Sequence, residues 1–191
     1  TTLQLKHSRK AIIMINLPGK ASAPTFNTPL DMLQACHGRI MDQCATLQKL
    51  KQHLTVHGSD VQAKQAAQAI VRYFDTAGQF HHQDEELDLF PPLLATRNAE
   101  ADALVSRLLN DHQIMNKAWL ALRSQLHGIT EDRTSVLDDA VVENFITAYE
   151  VHIVLENTQL LPLAAKLLDS RQIHDLGEKM AARRGVSLSP A

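Results

Sequence analysis

The sequence predicts an all-α fold, an antiparallel up-down-up-down four-helix bundle, and three observations carry that expectation. The 191 residues are 45% hydrophobic but only 4% aromatic, so the core is built mostly from Leu, Ala, Val and Ile, a composition that favours helices. Apolar residues recur at helical spacing in four stretches joined by short connections, which makes neighbours antiparallel. No segment has a strand period worth defending.

The elements follow in order. Thr28-Pro29-Leu30 supplies an N-cap and a proline at the first helical position, and Leu30, Leu33, Ile40, Cys44, Leu47 and Leu54 form an apolar stripe that Gly58 closes. Ser59 and Gln62 make a capping-box pattern for a second helix with Ile70, Phe74 and Ala77 inward, which Pro91-Pro92 kinks or ends. Asn98 caps a third, with Leu104, Leu108, Met115, Trp119, Leu122 and Leu126 inward and Gly128 after its end. Thr134 or Ser135 starts a fourth, carrying Val141, Phe145, Leu160 and Leu163. Residues 28–168 are therefore read as one bundle domain, with an extension over 1–27 and a short helix and tail over 169–191.

The extension holds basic residues (Lys6, Arg9, Lys10), an apolar run from Ala11 to Leu17 and Ala21-Ser22-Ala23. This faintly resembles a signal peptide, but the run is marginal; Met14 is an alternative start, and the region is set outside the fold. A net charge of −2 without a block of Lys or Arg offers no footprint for nucleic acid or an acidic membrane. No apolar run approaches the roughly 20 residues of a membrane-spanning helix. Cys36 and Cys44 sit about 12 Å apart along one predicted helix, too far for a disulfide, so a reducing, cytoplasmic setting is expected.

Each inward stripe is interrupted by residues that core packing would not choose. His37 lies between Leu33 and Ile40, His81 and Glu85 follow Ala77, His112 lies between Leu108 and Met115, and His152 and Glu156 follow Phe145. The second and fourth interruptions are copies of one pattern. Phe74, His81, Glu85, Leu89 and Pro91 recur at identical spacing as Phe145, His152, Glu156, Leu160 and Pro162. A His and a Glu four apart share one helix face, so each copy is a two-ligand clamp for a metal.

A lone buried histidine is ordinarily a core residue satisfied by one hydrogen bond. Six interruptions at one level are another matter. Counted to the predicted turns, His37 and His81 lie about 21 and 23 residues from Gly58, His81 and His112 about 16 and 15 from Arg97, and His112 and His152 about 19 and 21 from Glu131, so all four share a layer. Carboxylates in that layer are costly unless cations neutralise them. The expected metal ligands are His37, His81, Glu85, His112, His152 and Glu156, a set that admits iron, zinc or manganese.

The same geometry excludes other histidines. His57 lies about 30 Å from His37 along a continuous helix and His53 fails similarly. His82 and Glu86 have the clamp spacing, but with Asp75 and Gly78 they form a polar stripe expected to face solvent. His7, His127 and His174 read as surface residues. Asp111 and Tyr149 flank the set and are read as solvated and packed, respectively, while Cys36 and Cys44 are read as inert small side chains.

The segments His81-His82-Gln83-Asp84-Glu85-Glu86 with Leu89-Phe90-Pro91, and His152-Ile153-Val154-Leu155-Glu156 with Leu160-Leu161-Pro162, resemble the hemerythrin-like (HHE cation-binding) family over roughly residues 28 to 168. The resemblance implies two non-haem iron ions bridged by an oxo or hydroxo group, Glu85 and Glu156 bridging them and His37, His81, His112 and His152 as terminal ligands. It also implies a diatomic gas, dioxygen or nitric oxide, as ligand. The oxygen-carrying members have a fifth histidine where this chain has Asn116, and an Asp where it has Glu156. The four-His, two-Glu set looks more like bacterial members that respond to nitric oxide and repair iron centres, although residues 1–27 lack the cysteine those commonly carry.

Three functions compete. The first is a protein that binds dioxygen or nitric oxide for storage, delivery or sensing; the second is a redox or repair protein acting on peroxide, nitric oxide or damaged iron centres; a distant third is a metal-free interaction bundle. Metal content separates the last from the others, and turnover with a reductant separates the first two.

Overall fold

Three aspartates and an asparagine, each accepting a backbone N–H, set the starts of four helices. The computed structural model of the chain describes residues 23–188. Its helices are α1 (Pro29–His57), α2 (Val61–Asp75), α3 (Ala77–Gln83), α4 (Phe90–Ala95), α5 (Ala99–Thr130), α6 (Asp139–Leu155), α7 (Leu161–Leu167) and α8 (Ser170–Arg183). Two π segments, Asp84–Leu89 and Glu156–Leu160, join α3 to α4 and α6 to α7. Four rods result: α1, the run from α2 through α4, α5, and the run from α6 through α7. The first and third rods each pack against the second and fourth, so the bundle closes as expected.

Several boundaries differ from the sequence reading. Asp60, not Ser59, caps α2 by accepting from the Ala63 N–H at 2.9 Å. The fourth rod begins at Asp139 under an Asp138 cap, not at Thr134 or Ser135. Thr28 stands at the N-cap of α1, but its side chain bonds the Thr25 carbonyl instead of the helix. Gly128 lies inside α5, and Pro91-Pro92, expected to kink or end the second rod, do not end it but follow a change from α to π geometry. The Asn98 cap and the Gly58 end are as expected.

The prolines explain the π segments. Proline lacks an N–H and its ring crowds the carbonyl four residues back, so an α-helix cannot pass it undisturbed. Here the turn ahead of each proline widens. The Phe90 N–H donates to the Glu85 carbonyl and the Leu161 N–H to the Glu156 carbonyl, both five residues back. Such bulges are rare and concentrate at functional sites.

The duplicated motif organises the core. Phe74 and Phe145 meet edge to face at 4.9 Å between centroids, inside one apolar cluster that includes Ile40, Leu47, Met115, Trp119 and Leu122. Leu89 and Leu160 belong to a second cluster with Leu33, Leu108, Leu163 and Met180. The His/Glu layer lies between the two clusters along the chain, sealed by apolar packing on both sides.

Helix α8 packs on α1 and the first π segment. Its start carries a full capping box, Asp169 with Gln172. Gly177 is required there because any Cβ would collide with the Phe26 carbonyl oxygen, and a backbone atom cannot swing aside. Among the described helices none is long and apolar enough to cross a membrane. The basic and apolar stretch of residues 1–22, with His7, lies outside the described residues.

We expect Gly177→Ala to destabilise the protein by about 1–3 kcal/mol, the usual cost of overpacking, read as a lower midpoint of urea unfolding. An unchanged midpoint would mean that α8 does not hold Phe26 in this way.

Candidate metal centre

All six residues expected as ligands are brought together. His37 comes from α1, His81 from α3, Glu85 from the first π segment, His112 from α5, His152 from α6 and Glu156 from the second π segment. Each is at most 5% exposed, and both glutamates are fully buried.

The contacts divide the six into two overlapping groups. His37, His81, Glu85 and Glu156 offer ligand atoms within 4.8 Å of one another, as do Glu85, His112, His152 and Glu156. Both carboxylates belong to both groups, and each splits its oxygens between them. Glu85 points Oε1 at His81 Nε2 (3.2 Å) and Oε2 at His112 Nε2 (3.4 Å). Glu156 points Oε2 at His37 Nε2 (3.0 Å) and Oε1 at His152 Nε2 (3.2 Å).

Electrostatics make the cluster unusual as a core. Burial disfavours the charge on His37, yet contact with Glu156 and Glu85 outweighs it and raises its pKa to about 10. His112 is raised to about 9 in the same way, burial being overcome by Glu85 and Glu86. At His81 burial wins and its pKa falls to about 4. Burial opposes ionisation of Glu85 and Glu156, but the surrounding histidines hold both carboxyls below the usual range. The pair is therefore anionic and surrounded by imidazoles.

Buried polar groups normally find a hydrogen-bond partner. Here both oxygens of Glu85, both of Glu156, the Nε2 of His37 and both ring nitrogens of His81 lack one. Imidazole nitrogens and carboxylate oxygens that converge with so few hydrogen bonds are the donor set of a cation. The residues fit a bound metal.

Two outer contacts escaped the sequence reading. His37 Nδ1 meets Asn157 Oδ1 at 2.7 Å, and His112 Nδ1 meets Glu86 Oε1 at 2.6 Å. Both turn Nε2 inward, the usual way a protein fixes a ligating imidazole. Asp111 stays 3.7 Å from His152 Nδ1, beyond a hydrogen bond. Tyr149 is packed among Phe74 and Phe145, as expected.

His82 is a correction. It was expected to face solvent with Glu86, yet its ring stacks on His112 at 4.1 Å between centroids, and its Nε2 is buried without a partner. Thr76, at φ −125° and ψ −83°, separates α2 from α3, yet Phe74, Gly78, His81 and Glu85 keep one buried face. On that face Gly78 is buried and Ala77 is exposed, the reverse of what was expected for this pair. The other excluded histidines do lie away from the cluster: His53 pairs with Asp60, His57 is exposed, and His174 faces Glu178 on the surface.

The π segment bearing Glu85 is clamped from outside by α8. Asp84, fully buried, receives Arg183 and Arg184, the latter at 2.6 Å, while Arg183 also reaches Asp88 at 2.5 Å. No spacing in the sequence signals this, because the partners lie about a hundred residues apart.

A four-helix bundle enclosing a buried layer of histidines and carboxylates defines a cation-binding helical protein. The chain belongs to the hemerythrin family: the model for the hemerythrin HHE cation binding domain matches residues 28–164. A protein of Haemophilus influenzae, described only as uncharacterized, is 32% identical over 162 residues, covering 85% of this chain and 93% of that protein.

Proposed function

We propose that the protein holds two iron ions through His37, His81, Glu85, His112, His152 and Glu156 and binds dioxygen or nitric oxide there for storage, delivery or sensing. The observation that carries this is the division of the cluster into two groups sharing both carboxylates. A single-metal site would not need each glutamate to split its oxygens. Glu85 and Glu156 would be shared between the ions, while His37 and His81 would complete one half and His112 and His152 the other.

When bound, a ferrous pair supplies reducing electrons and open coordination positions for a diatomic ligand. The chain's own part is to fix and seal. Asn157 and Glu86 orient His37 and His112, and the apolar clusters on either side exclude bulk water. The free thiols of Cys36 and Cys44 agree with a reducing, cytoplasmic setting.

Two outcomes are expected. Glu85→Ala or Glu156→Ala abolishes the paired centre in metal analysis, whereas Glu86→Ala, which only loosens His112, weakens affinity by about 10–100-fold. Equal loss from all three would defeat the ligand assignment. Anaerobically iron-loaded ferrous protein gains a visible charge-transfer band under dioxygen and loses it when the gas is removed. Rapid one-way oxidation would instead support redox or repair chemistry on peroxide, nitric oxide or iron centres.

A further inference from the structure

The six clustered side chains are sealed, so a cation needs a way in. A bare or partly hydrated ion cannot cross apolar packing, because its desolvation is uncompensated there. Ligating groups must therefore line the route. Of the four histidines, His112 is the least buried, at 5% exposed against 1 or 2% for the others.

His112 also lines a surface pocket of about 350 Å³ between α3, the first π segment and α5, together with Gln79, His82, Gln83, Glu86, Gln113 and Asn116. The lining carries amide oxygens, two imidazoles and one carboxylate, and no Lys or Arg. Such a surface offers oxygen and nitrogen ligands to a hydrated divalent cation and suits an anion poorly. Within it, His82 and Glu86 repeat the four-residue spacing of His81 and Glu85, one position later, and Glu86 Oε1 lies 2.6 Å from His112 Nδ1. Glu86 is 40% exposed, while His82 is stacked on His112 with its Nε2 buried and unpartnered. The two therefore reach from the solvent side of the pocket to the edge of the cluster.

We propose that this pocket is the loading route for the metal, with Glu86 capturing a divalent cation at the mouth and His82 handing it inward to the half-site of His112 and His152. This rests on the metal-centre reading above. Two ligands in an open pocket hold an ion weakly, which a transfer site requires; among the described residues the tighter groups of three or more ligands are the two in the buried cluster. Microscopic reversibility gives the role a signature. A residue that acts on the route alone changes entry and exit by the same factor and leaves the equilibrium unchanged.

The test is stopped-flow loading of metal-free protein with cobalt(II), followed by its visible absorption, and extraction of the loaded ion by a chelator. His82→Phe keeps the ring stack and removes both nitrogens; it should slow loading and extraction alike, by roughly tenfold or more, the effect of about 1.4 kcal/mol at the barrier. Final stoichiometry and affinity should match the unaltered chain. Gln113→Leu combined with Asn116→Leu, both at exposed positions, should slow both rates without touching the buried cluster. Unchanged rates in both variants would overturn the route, and so would a loss of affinity in His82→Phe, which would make His82 a ligand or a structural residue. Failure of the unaltered chain to take up cobalt would overturn the metal-centre reading itself.

Discussion

Two carboxylates with no access to water sit at the centre of this bundle, and the fold is arranged around making them tolerable. An unpaired buried carboxylate is among the most destabilising groups a core can contain. Glu85 and Glu156 are ringed by four imidazoles, and most of the converging atoms lack a hydrogen-bond partner. The histidines ease the electrostatics but do not complete the hydrogen bonding. Cations resolve both, and the family to which the chain belongs binds them through its HHE domain.

Delivering two glutamates to one level takes more than two amphipathic helices. Glu156 is the first residue of one π segment and Glu85 the second residue of the other, and each segment precedes a proline that an α-helix would not pass unaltered. The proline thus fixes where the helix widens. Packing of Phe74 on Phe145 and placement of Leu89 and Leu160 in one cluster set the height of the two copies relative to each other. Beyond the matched domain, α8 adds arginines that compensate buried Asp84 next to Glu85, so the C-terminal helix bears directly on the segment that carries the site.

The bundle and the cluster were legible because their signals are local and periodic. Apolar stripes gave the rods, and the repeated His-Glu spacing with equal counts to the turns placed four histidines in a layer. Features set by distant pairs were not legible. His82 sits at the edge of the buried face and turns inward by stacking on His112 of another rod, a contact that a helical wheel cannot anticipate. The partners Asn157 of His37 and Glu86 of His112 depend on packing between rods. Asp60 and Asp138 displaced the expected caps because several Ser, Thr and Asp side chains near each start compete for the same N–H groups.

The proposed function requires two cations sharing the buried glutamates. Its most direct test is anaerobic titration of metal-free protein with ferrous iron, following bound iron and melting temperature together. Saturation at two ions per chain, with a melting temperature that rises as the ions bind, is the expected result, since a ligand of the native state stabilises it. Saturation at one ion, or uptake with no change in melting temperature, would contradict it.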